Sequence, residues 1–487
     1  MLAASFDSYF HNIGQGLFYS SSLNFFYPIY MWVRCSRRDY IRRPKNFVFK
    51  QINIVYDCGT EKDQQNLYNS IEQFAYQTNK ELHLLVISHF HKDHISGLER
   101  LLNSFKRKYI AVIPYFHPLE RLLFYLLNPR MPDWYLDFLK DPAKFLREKG
   151  FSNIFIIFGD EGRPPDEQPD DHNIPPNEPF PPDGDFYLPL DDIEGTLKLV
   201  DKLKGFSKKY LIRHYEEKLN KNGNNGKFKN IILQSLKNDL ENLQQNASLK
   251  IDWGFLSFNF LCPECKSTVP IWLFSFYNYH YWEGIMFLLR NERFQKLLEK
   301  VNGDIWQIIE NSNYRNQLRQ IYNYLVKSTN LKEFNNSSLT MLHTPYNYKE
   351  QDLFSLKGDL RFIYCIRYLK YIFPFEKTLG HFLTGDINLN FDKFNEFIKH
   401  FGKLKENVNI GLIPHHGSQY NWNNEILLNL PKCFWWIASA GLKNKYGHPH
   451  ENVFENIGSL GRYPLWCNEL NPVNFKTYIY WDLLKIC

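Results

Sequence analysis

The chain has few cysteines, eight in 487 residues, and they are scattered except for Cys262 and Cys265. This distribution excludes the disulfide framework of small secreted proteins and favours a cytoplasmic protein with reduced thiols. The close pair has the spacing of zinc ligands, but no second Cys or His pair lies nearby. We therefore interpret it as the reduced tip of a hairpin, with a structural zinc site as the alternative.

Export and membrane segments are also missing from the sequence. Residues 1–7 lack the charged n-region and the long apolar core of a signal peptide. The most apolar later window, residues 271–290, is interrupted by Asn278, His280 and Glu283, which makes it too polar to cross a bilayer. We therefore expect a soluble protein in the cytoplasm with no membrane partner.

Neither sign of charge dominates, because 58 Lys and Arg residues stand against 52 Asp and Glu residues, for a net charge of +6. This balance permits an anionic partner without requiring one. The clearest basic run contains Arg37, Arg38, Arg42 and Arg43, on what reads as a hairpin loop before a strand. A solvated surface is the default interpretation of such a run, and contact with nucleic-acid phosphates is the alternative.

The sequence does contain a dense cluster of potential metal ligands. The stretch Ser88–His94, with three histidines and an aspartate, directly follows an apolar run that predicts a strand. Imidazole and carboxylate groups are ligands that Zn²⁺, Mn²⁺ and Fe²⁺ all accept. Because side chains alternate along a strand, His89 and His91 can point the same way and bind one ion. Asp93 and His94, on the following turn, can face a second ion, whereas a polar loop with incidental histidines is the alternative.

Further polar residues follow other predicted strands. Asp57 ends a strand near the histidines, where it can orient an imidazole rather than bind metal, unless it merely forms a turn before glycine. Asp386 follows an apolar strand, and a carboxylate there can bridge two cations and offset their repulsion. His415 or His416, and then His448, would supply the remaining neutral ligands. These residues predict a two-metal site.

The pattern of the chain predicts three parts: residues 1–114, a mainly helical block at 115–333, and residues 334–487. The outer parts are strand-rich and carry the metal-ligand candidates. Within the block, residues 160–185 are dense in Pro, Asp and Glu, a composition typical of an extended linker or exposed loop. The block therefore reads as a large insertion into a metal-binding domain.

The order of these motifs resembles the metallo-β-lactamase superfamily. It resembles in particular the domain at the end of the DNA-uptake competence membrane proteins and related free-standing hydrolases. The matching stretches are Gly14–Gly16, Asp57–Gly59, His89–His94, Asn336–Leu339, Leu383–Asp386, Pro414–Ser418 and Tyr446–Pro449. The resemblance spans roughly residues 8–110 and 335–480, and it implies an α/β fold of the αββα sandwich type with the metals at one edge. The transmembrane channel of the competence proteins is absent, so DNA import is not implied.

The resemblance also implies two divalent metal ions, Zn or Mn, as cofactors, and a phosphodiesterase or nuclease activity. The metal ligands that it implies are His89, His91, Asp93, His94 and Asp386, with His415 and His448 next. It leaves the choice between His415 and His416 open. Many superfamily members carry a further histidine before the second aspartate; His343 is the weak candidate here, and we interpret it as structural.

We therefore predict a two-metal phosphodiesterase that acts on DNA or RNA. Asp93 would orient the attacking water, Asp386 would bridge the ions, and Ser418 or His416 would contact the scissile phosphate. The block at 115–333 would govern the choice of substrate or bind a protein partner. Two alternatives remain: a nuclease effector subunit that a partner switches on, as in bacterial defence systems, and a hydrolase of a non-nucleotide ester, lactam, lactone or thioester.

Overall fold

The computed structural model describes residues 2–26, 48–128, 130–159, 186–189, 197–221, 226–252, 254–261, 268–279, 288–328, 337–346, 353–356 and 380–481. The basic run with Arg37, Arg38, Arg42 and Arg43 lies outside the described residues, as do the Cys262–Cys265 pair and the Pro-rich segment at 160–185. Their predicted roles stay predictions.

Strands make up two large sheets. They are β1 Leu2–Phe10, β2 Gly16–Phe26, β3 Val48–Thr60, β4 Glu81–Val86, β5 Arg107–Pro114, β6 Phe151–Phe158, β7 Phe186–Pro189, β8 Leu197–Asp201, β9 Ser248–Ile251, β10 Leu256–Leu261, β11 Thr268–Tyr279, β12 Ser338–Pro345, β13 Leu353–Leu356, β14 Gly380–Leu383, β15 Val408–Leu412, β16 Trp435–Ser439, β17 Tyr463–Cys467 and β18 Val473–Trp481. The first sheet has the order β13-β18-β1-β2-β3-β4-β5-β6-β9 and the second the order β17-β16-β15-β14-β12-β11-β10-β8-β7. Both are mixed sheets.

Helices cover the outer faces of the sheets. They are α1 Gln64–Gln77, α2 Lys92–Ile95, α3 Leu98–Ser104, α4 Pro118–Leu127, α5 Asp133–Lys140, α6 Pro142–Glu148, α7 Lys208–Lys221, α8 Gly226–Asn246, α9 Glu292–Lys300, α10 Ile305–Glu310, α11 Ser312–Ser328, α12 Phe394–His400, α13 Glu425–Asn429 and α14 Glu451–Ser459, with 3₁₀ turns at Gly402–Asn407 and His415–Gly417. None of the helices in these described stretches is both long and apolar enough to cross a bilayer.

Three apolar clusters separate the layers. One lies between the facing sheets and includes the buried side chains of Phe6, Leu84, Trp272 and Met341. A second packs helices α1 and α3–α11 on the first sheet, and the third packs α12–α14 on the second sheet. Each large apolar side chain that is fully buried in this way contributes about 1.5–3 kcal/mol. The order helix, sheet, sheet, helix confirms the predicted αββα sandwich.

The block at 115–333 contains more strand than its sequence pattern predicted. Strands β6 and β9 extend the first sheet, while β7, β8, β10 and β11 extend the second. The long strand β11 pairs with β12 over eight residue pairs, from Trp272–Pro345 to Tyr279–Ser338. The block therefore shares both sheets with the outer parts of the chain, and its helices form most of one outer layer. The three-part division of the chain stays a prediction.

The topology brings the predicted site residues to one edge of the sandwich. Strands β3, β4 and β5 run parallel in the first sheet, and β14, β15 and β16 run parallel in the second. Parallel strands end at the same edge, so the turns after β3, β4, β14, β15 and β16 meet there. The amide of Leu339, on β12, donates to the carbonyl of Ser88 after β4, which ties the two sheets together at this edge.

Candidate metal centre

The segment after β4 presents its histidines and its aromatic residue in opposite directions. The side chains of His89 and His91 are buried with their ring centroids 4.9 Å apart. Phe90, between them, packs instead against Phe116 and Phe138 of the helical layer. The short helix α2 then begins after His91, whose carbonyl accepts from the amide of His94 at 3.0 Å. The alternation expected from the sequence is therefore present.

Two glycines of the flanking motifs allow other backbones to reach this segment. A Cβ atom on Gly59 would lie 2.4 Å from the amide nitrogen of Ile95 and 2.6 Å from that of His94. A Cβ atom on Gly16 would lie 2.2 Å from the carbonyl oxygen of Gly59 and 2.8 Å from that of Asp93. Any larger residue would push these chains apart. The Gly-Gln-Gly and Asp-x-Gly motifs thus support α2 by close backbone packing.

The carboxylate of Asp386 lies at the middle of the cluster. Its Oδ1 atom is 3.1 Å from His94 Nε2, and its Oδ2 atom is 3.6 Å from His89 Nε2 and 3.8 Å from His415 Nε2. Its amide donates to the Ser338 hydroxyl at 3.2 Å, which fixes the turn after β14. The two oxygens therefore face different imidazoles.

Both histidines after β15 reach the cluster, from different sides. His416 Nε2 lies 3.1 Å from Asp93 Oδ2, whereas His415 Nε2 faces Asp386. Both residues adopt the left-handed backbone region, with φ of 48° and 58°, which is uncommon for residues other than glycine. Ligand atoms from Asp93, His94, Asp386 and His416 all lie within 4.8 Å of one another. The structure thus places His416 in the tightest group and His415 beside it.

His448 lies next to this group, and Ser418 lies behind it. The ring of His448 is buried and its centroid is 5.7 Å from that of His415. Ser418 is also buried, and its amide donates to the His415 carbonyl at 3.0 Å to close the 3₁₀ turn. The contacts of Ser418 are therefore those of a residue that holds the turn, and its predicted contact with substrate stays a prediction.

Asp57 holds two imidazoles of the cluster, that of His94 directly and that of His89 through Ser88. Its Oδ1 atom accepts from the Ser88 amide at 2.6 Å, and its Oδ2 atom accepts from the Ser88 hydroxyl at 2.5 Å and from His94 Nδ1 at 2.8 Å. Because the single Ser88 proton points to Asp57, the Ser88 oxygen accepts from His89 Nδ1 at 3.0 Å. Asp57 thus orients two ligand candidates from behind, and its backbone φ of 56° is tolerated by aspartate.

These hydrogen bonds fix which ring nitrogens remain available. Carboxylate and carbonyl oxygens only accept, so Nδ1 of His94 carries a proton toward Asp57. His416 Nδ1 likewise donates to the carbonyl of Ser439 at 2.7 Å. In His89, His94 and His416 the Nε2 atom is therefore the one that faces the cluster. Second partners of this kind are typical of metal-binding histidines.

Burial and neighbouring carboxylates have opposite effects on the pKa values of the site histidines. Burial lowers the pKa of His89 well below its ordinary value, that of His91 to about 4 and that of His448 to about 3. Burial also opposes charge on His94, but the carboxylates of Asp386 and Asp57 outweigh it and raise its pKa well above 6.5. The neutral rings can bind a cation directly, whereas the proton on His94 must leave first.

The carboxylates of Asp386, which is buried, and Asp93, which is partly exposed, both remain ionised. Burial opposes charge on Asp386, but the pKa of its carboxyl is held well below the usual value by His415, His94 and His89. Burial acts the same way on Asp93, where the bond from His416 and the charge of His94 lower the pKa. The centre therefore offers anionic oxygen and imidazole nitrogen side by side.

Several buried ring nitrogens have no hydrogen-bond partner within the described part of the chain. Those in the cluster include His89 Nε2, His91 Nε2 and His448 Nδ1. A buried polar atom without a partner costs about 1–3 kcal/mol, so such atoms are rare in the absence of a ligand. A divalent cation would satisfy them, and the donor set of imidazole and carboxylate fits Zn²⁺ or Mn²⁺. The residues present therefore fit a metal centre.

His343, the weak candidate, lies away from the cluster between the two sheets. Its Nδ1 atom accepts from Trp272 Nε1 at 3.2 Å, and its Nε2 atom is 3.2 Å from the Tyr19 hydroxyl. Both ring nitrogens are therefore occupied. This geometry agrees with the structural role predicted for His343.

Sequence reasoning missed Ser88 and Ser439. Ser88 could have been found, because a hydroxyl at the end of an apolar strand and directly before a histidine often has a bonding role. Ser439 contributes its backbone carbonyl to His416, and a backbone contact leaves no trace in residue type.

Comparison with known proteins adds one finding. Residues 49–199 match the model of the metallo-beta-lactamase superfamily, a span that runs from β3 into β8 and includes the Ser88–His94 segment. No curated protein matches the chain significantly. The superfamily match and the buried cluster together indicate a metal-dependent hydrolase.

Proposed function

We propose that the chain is a phosphodiesterase that acts on nucleic acid with two divalent ions bound at the edge of the sandwich. The observation that carries this proposal is the position of Asp386, whose two oxygens face different imidazoles. The order of the motifs, which resembles the competence-protein domain, favours phosphodiesters over lactams or thioesters. Both supports are independent of the basic run at Arg37–Arg43.

Two sets of ligands meet at Asp386 in this proposal. His89, His91, His415 and His448 would hold one ion together with Asp386. Asp93, His94 and His416 would hold the other, also with Asp386. Divalent ions in such a site supply Lewis acidity, which activates water and balances charge on a phosphoryl group.

Unequal exposure of the ligands gives the direction of substrate approach. The side chains of Asp93 and His415 are 17% and 20% exposed, whereas those of His89, His94 and Asp386 are at most 2% exposed. Water and a phosphodiester would therefore reach the centre from the side of Asp93 and His415. Asp93 can orient a water there through Oδ1, the carboxylate oxygen that does not face His416.

The test is a substrate panel with the purified, chelator-treated protein and added Mn²⁺ or Zn²⁺. Single- and double-stranded DNA and RNA form one arm, and a lactam, a lactone and a thioester form the other. We expect metal-dependent cleavage of nucleic acid that Asp386→Ala abolishes and that Asp392→Ala, at an exposed aspartate nearby, leaves intact. Intact nucleic acids throughout, turnover confined to the second arm, or cleavage that survives Asp386→Ala would each remove the proposal.

A second candidate is a nuclease subunit that a protein partner activates. Helices of the 115–333 block contact the metal-binding segment directly: the Tyr135 hydroxyl donates to the Phe90 carbonyl at 2.9 Å, and Phe124 lies edge-on to His91 at 4.8 Å. A cleft of about 860 Å³, lined by α5, α6, α8 and α10, opens on the same helices. A partner bound there could shift the ligand loop. Full activity in the purified chain alone would count against this candidate.

A further inference from the structure

We propose that Tyr420 is a stacking platform for an unpaired base beside the metal centre, so that the substrate is a single nucleic-acid strand. The inference rests on the proposed function and adds the substrate class. It also assigns Lys445, on a loop beside the same centre, to the phosphate backbone of the same strand.

Tyr420 is exposed but it is not on a loose loop. Its side chain is 73% exposed. Its carbonyl accepts from Asn390 Nδ2 at 2.9 Å, and the next residue, Asn421, donates its side-chain amide to the Asp386 carbonyl at 3.3 Å. The backbone that carries Tyr420 is therefore tied to the turn that carries the central carboxylate. The ring is presented to solvent from a fixed base.

A row of rings connects Tyr420 to the metal centre. Its centroid is 6.0 Å from that of His450, which is 5.0 Å from that of His448, which is 5.7 Å from that of His415. Tyr420 thus lies within a few nucleotide lengths of the solvent-exposed ligand His415. A base stacked on it would belong to the strand whose phosphate occupies the centre.

Another part of the rim is the loop at residues 441–448, which the side chain of Asn444 organises. Asn444 makes four hydrogen bonds within it: its Oδ1 atom accepts from the amides of Tyr446 and His448, and its Nδ2 atom donates to the carbonyls of Gly441 and His448. This loop projects Lys445 into solvent. The ammonium of Lys445 lies 4.7 Å from the centroid of Tyr446, which stacks on His448 in turn.

The acidic groups at this rim already have partners. Glu61 Oε1 accepts from the Tyr446 hydroxyl at 3.0 Å, and Glu469 Oε2 accepts from the Leu442 amide at 2.8 Å. Lys443 and Lys445 are both exposed in this loop, and Lys445 is the one that lies over the Tyr446 ring beside His448. A fixed cation next to a metal centre suits a backbone phosphate.

The requirement for a free base face indicates a single nucleic-acid strand rather than a duplex. Within a duplex each base is stacked on both faces, and its faces are closed to a protein ring. An unpaired base can place one face on a tyrosine, and such contacts are sequence-tolerant because every base has a π-face. An exposed ring and an exposed cation beside the centre therefore favour a single strand without reading its sequence.

The experiment compares three substrates of equal length: a single strand, its duplex, and an abasic single strand with the same phosphate backbone. All three are synthesised as DNA or as RNA, according to which of the two the wild type cleaves. The variants are Tyr420→Ala, Lys445→Ala and Tyr76→Ala. Tyr76, on α1, is 82% exposed and serves as the matched control. Thermal melts check that all variants fold.

We expect the wild type to prefer the base-bearing single strand. Tyr420→Ala should raise KM for that strand about tenfold, the effect typical of losing one base stack, with kcat within about twofold and the abasic strand unaffected. Lys445→Ala should raise KM for both single strands, and Tyr76→Ala should change nothing. An unchanged KM in Tyr420→Ala, an equal rise on the abasic strand, or equal cleavage of the duplex overturns the inference. A wild type that cleaves neither DNA nor RNA instead removes the proposed function.

Discussion

Replacing Asp57 by asparagine separates its bonding role from its shape. Asparagine is nearly isosteric and tolerates the left-handed backbone that Asp57 adopts, with φ of 56°. In the native protein, both oxygens of Asp57 accept, from the Ser88 amide on one side and from the Ser88 hydroxyl and His94 Nδ1 on the other. An asparagine amide brings two protons into this arrangement.

Either orientation of the amide disturbs the site. If the asparagine oxygen faces the Ser88 amide, its NH₂ group faces His94 Nδ1 and favours the tautomer with the proton on Nε2, the atom that points to Asp386. If the amide is reversed, two N–H groups face each other at Ser88. A donor left without an acceptor costs about 1–3 kcal/mol of metal-free stability. Loss of such a supporting partner weakens metal binding by about 10–100-fold.

The assay is competition between the chelator-stripped protein and a fluorescent chelator for Zn²⁺ and Mn²⁺. Asp304→Asn is the control, because Asp304 caps α10 far from the cluster and asparagine caps helices equally well. We expect Asp57→Asn to lose about 10–100-fold in affinity and Asp304→Asn to match the wild type. Wild-type affinity in Asp57→Asn, or equal losses in both variants, would refute the reasoning.

Three further predictions concern residues outside the ligand set. Tyr135→Phe removes the donor to the buried Phe90 carbonyl and should lower the free energy of unfolding by about 1–3 kcal/mol in urea titrations, with weaker metal binding; an unchanged midpoint would contradict it. Burial lowers the pKa of His11, His83 and His343 to about 3, so the unfolded chain takes up their protons first as the pH falls below about 6.5. Each of these three histidines should therefore lower the free energy of unfolding by about 1.4 kcal/mol per pH unit below that value. The site histidines whose pKa is raised offset part of this loss. A melting temperature that stays constant from pH 7 to 5 in chelator would rule this out. His343→Leu should destabilise the fold without changing metal affinity, and a loss of bound metal in the folded variant would show that His343 is a ligand.

The edge of the sandwich could be predicted because its signals are local. Asp57, the Ser88–His94 segment and Asp386 each follow a short apolar run, and polar groups after parallel strands converge at one edge. The resemblance supplied the pairing of the two halves, which are separated by more than two hundred residues. Neither inference needed the intervening block.

The strands of the block could not be placed from sequence. Strands β10 and β11 of the aromatic segment pair antiparallel, as a hairpin predicts, but β11 also pairs with β12, about sixty residues further on. Residue pattern does not encode such long-range pairing. The choice between His415 and His416 was open for a related reason, since it depends on a turn with two left-handed residues. Side-chain direction there follows from the backbone, not from residue type.

The most direct test of the account is metal reconstitution with cleavage as the readout. Chelator-stripped protein is titrated with Mn²⁺ or Zn²⁺, and cleavage of a single-stranded oligonucleotide is followed in the wild type and in Asp386→Ala. The account predicts no cleavage without metal, a rise that saturates near two equivalents per chain, and no rise in the variant. Cleavage by the stripped protein, or an undiminished rise in Asp386→Ala, would contradict it.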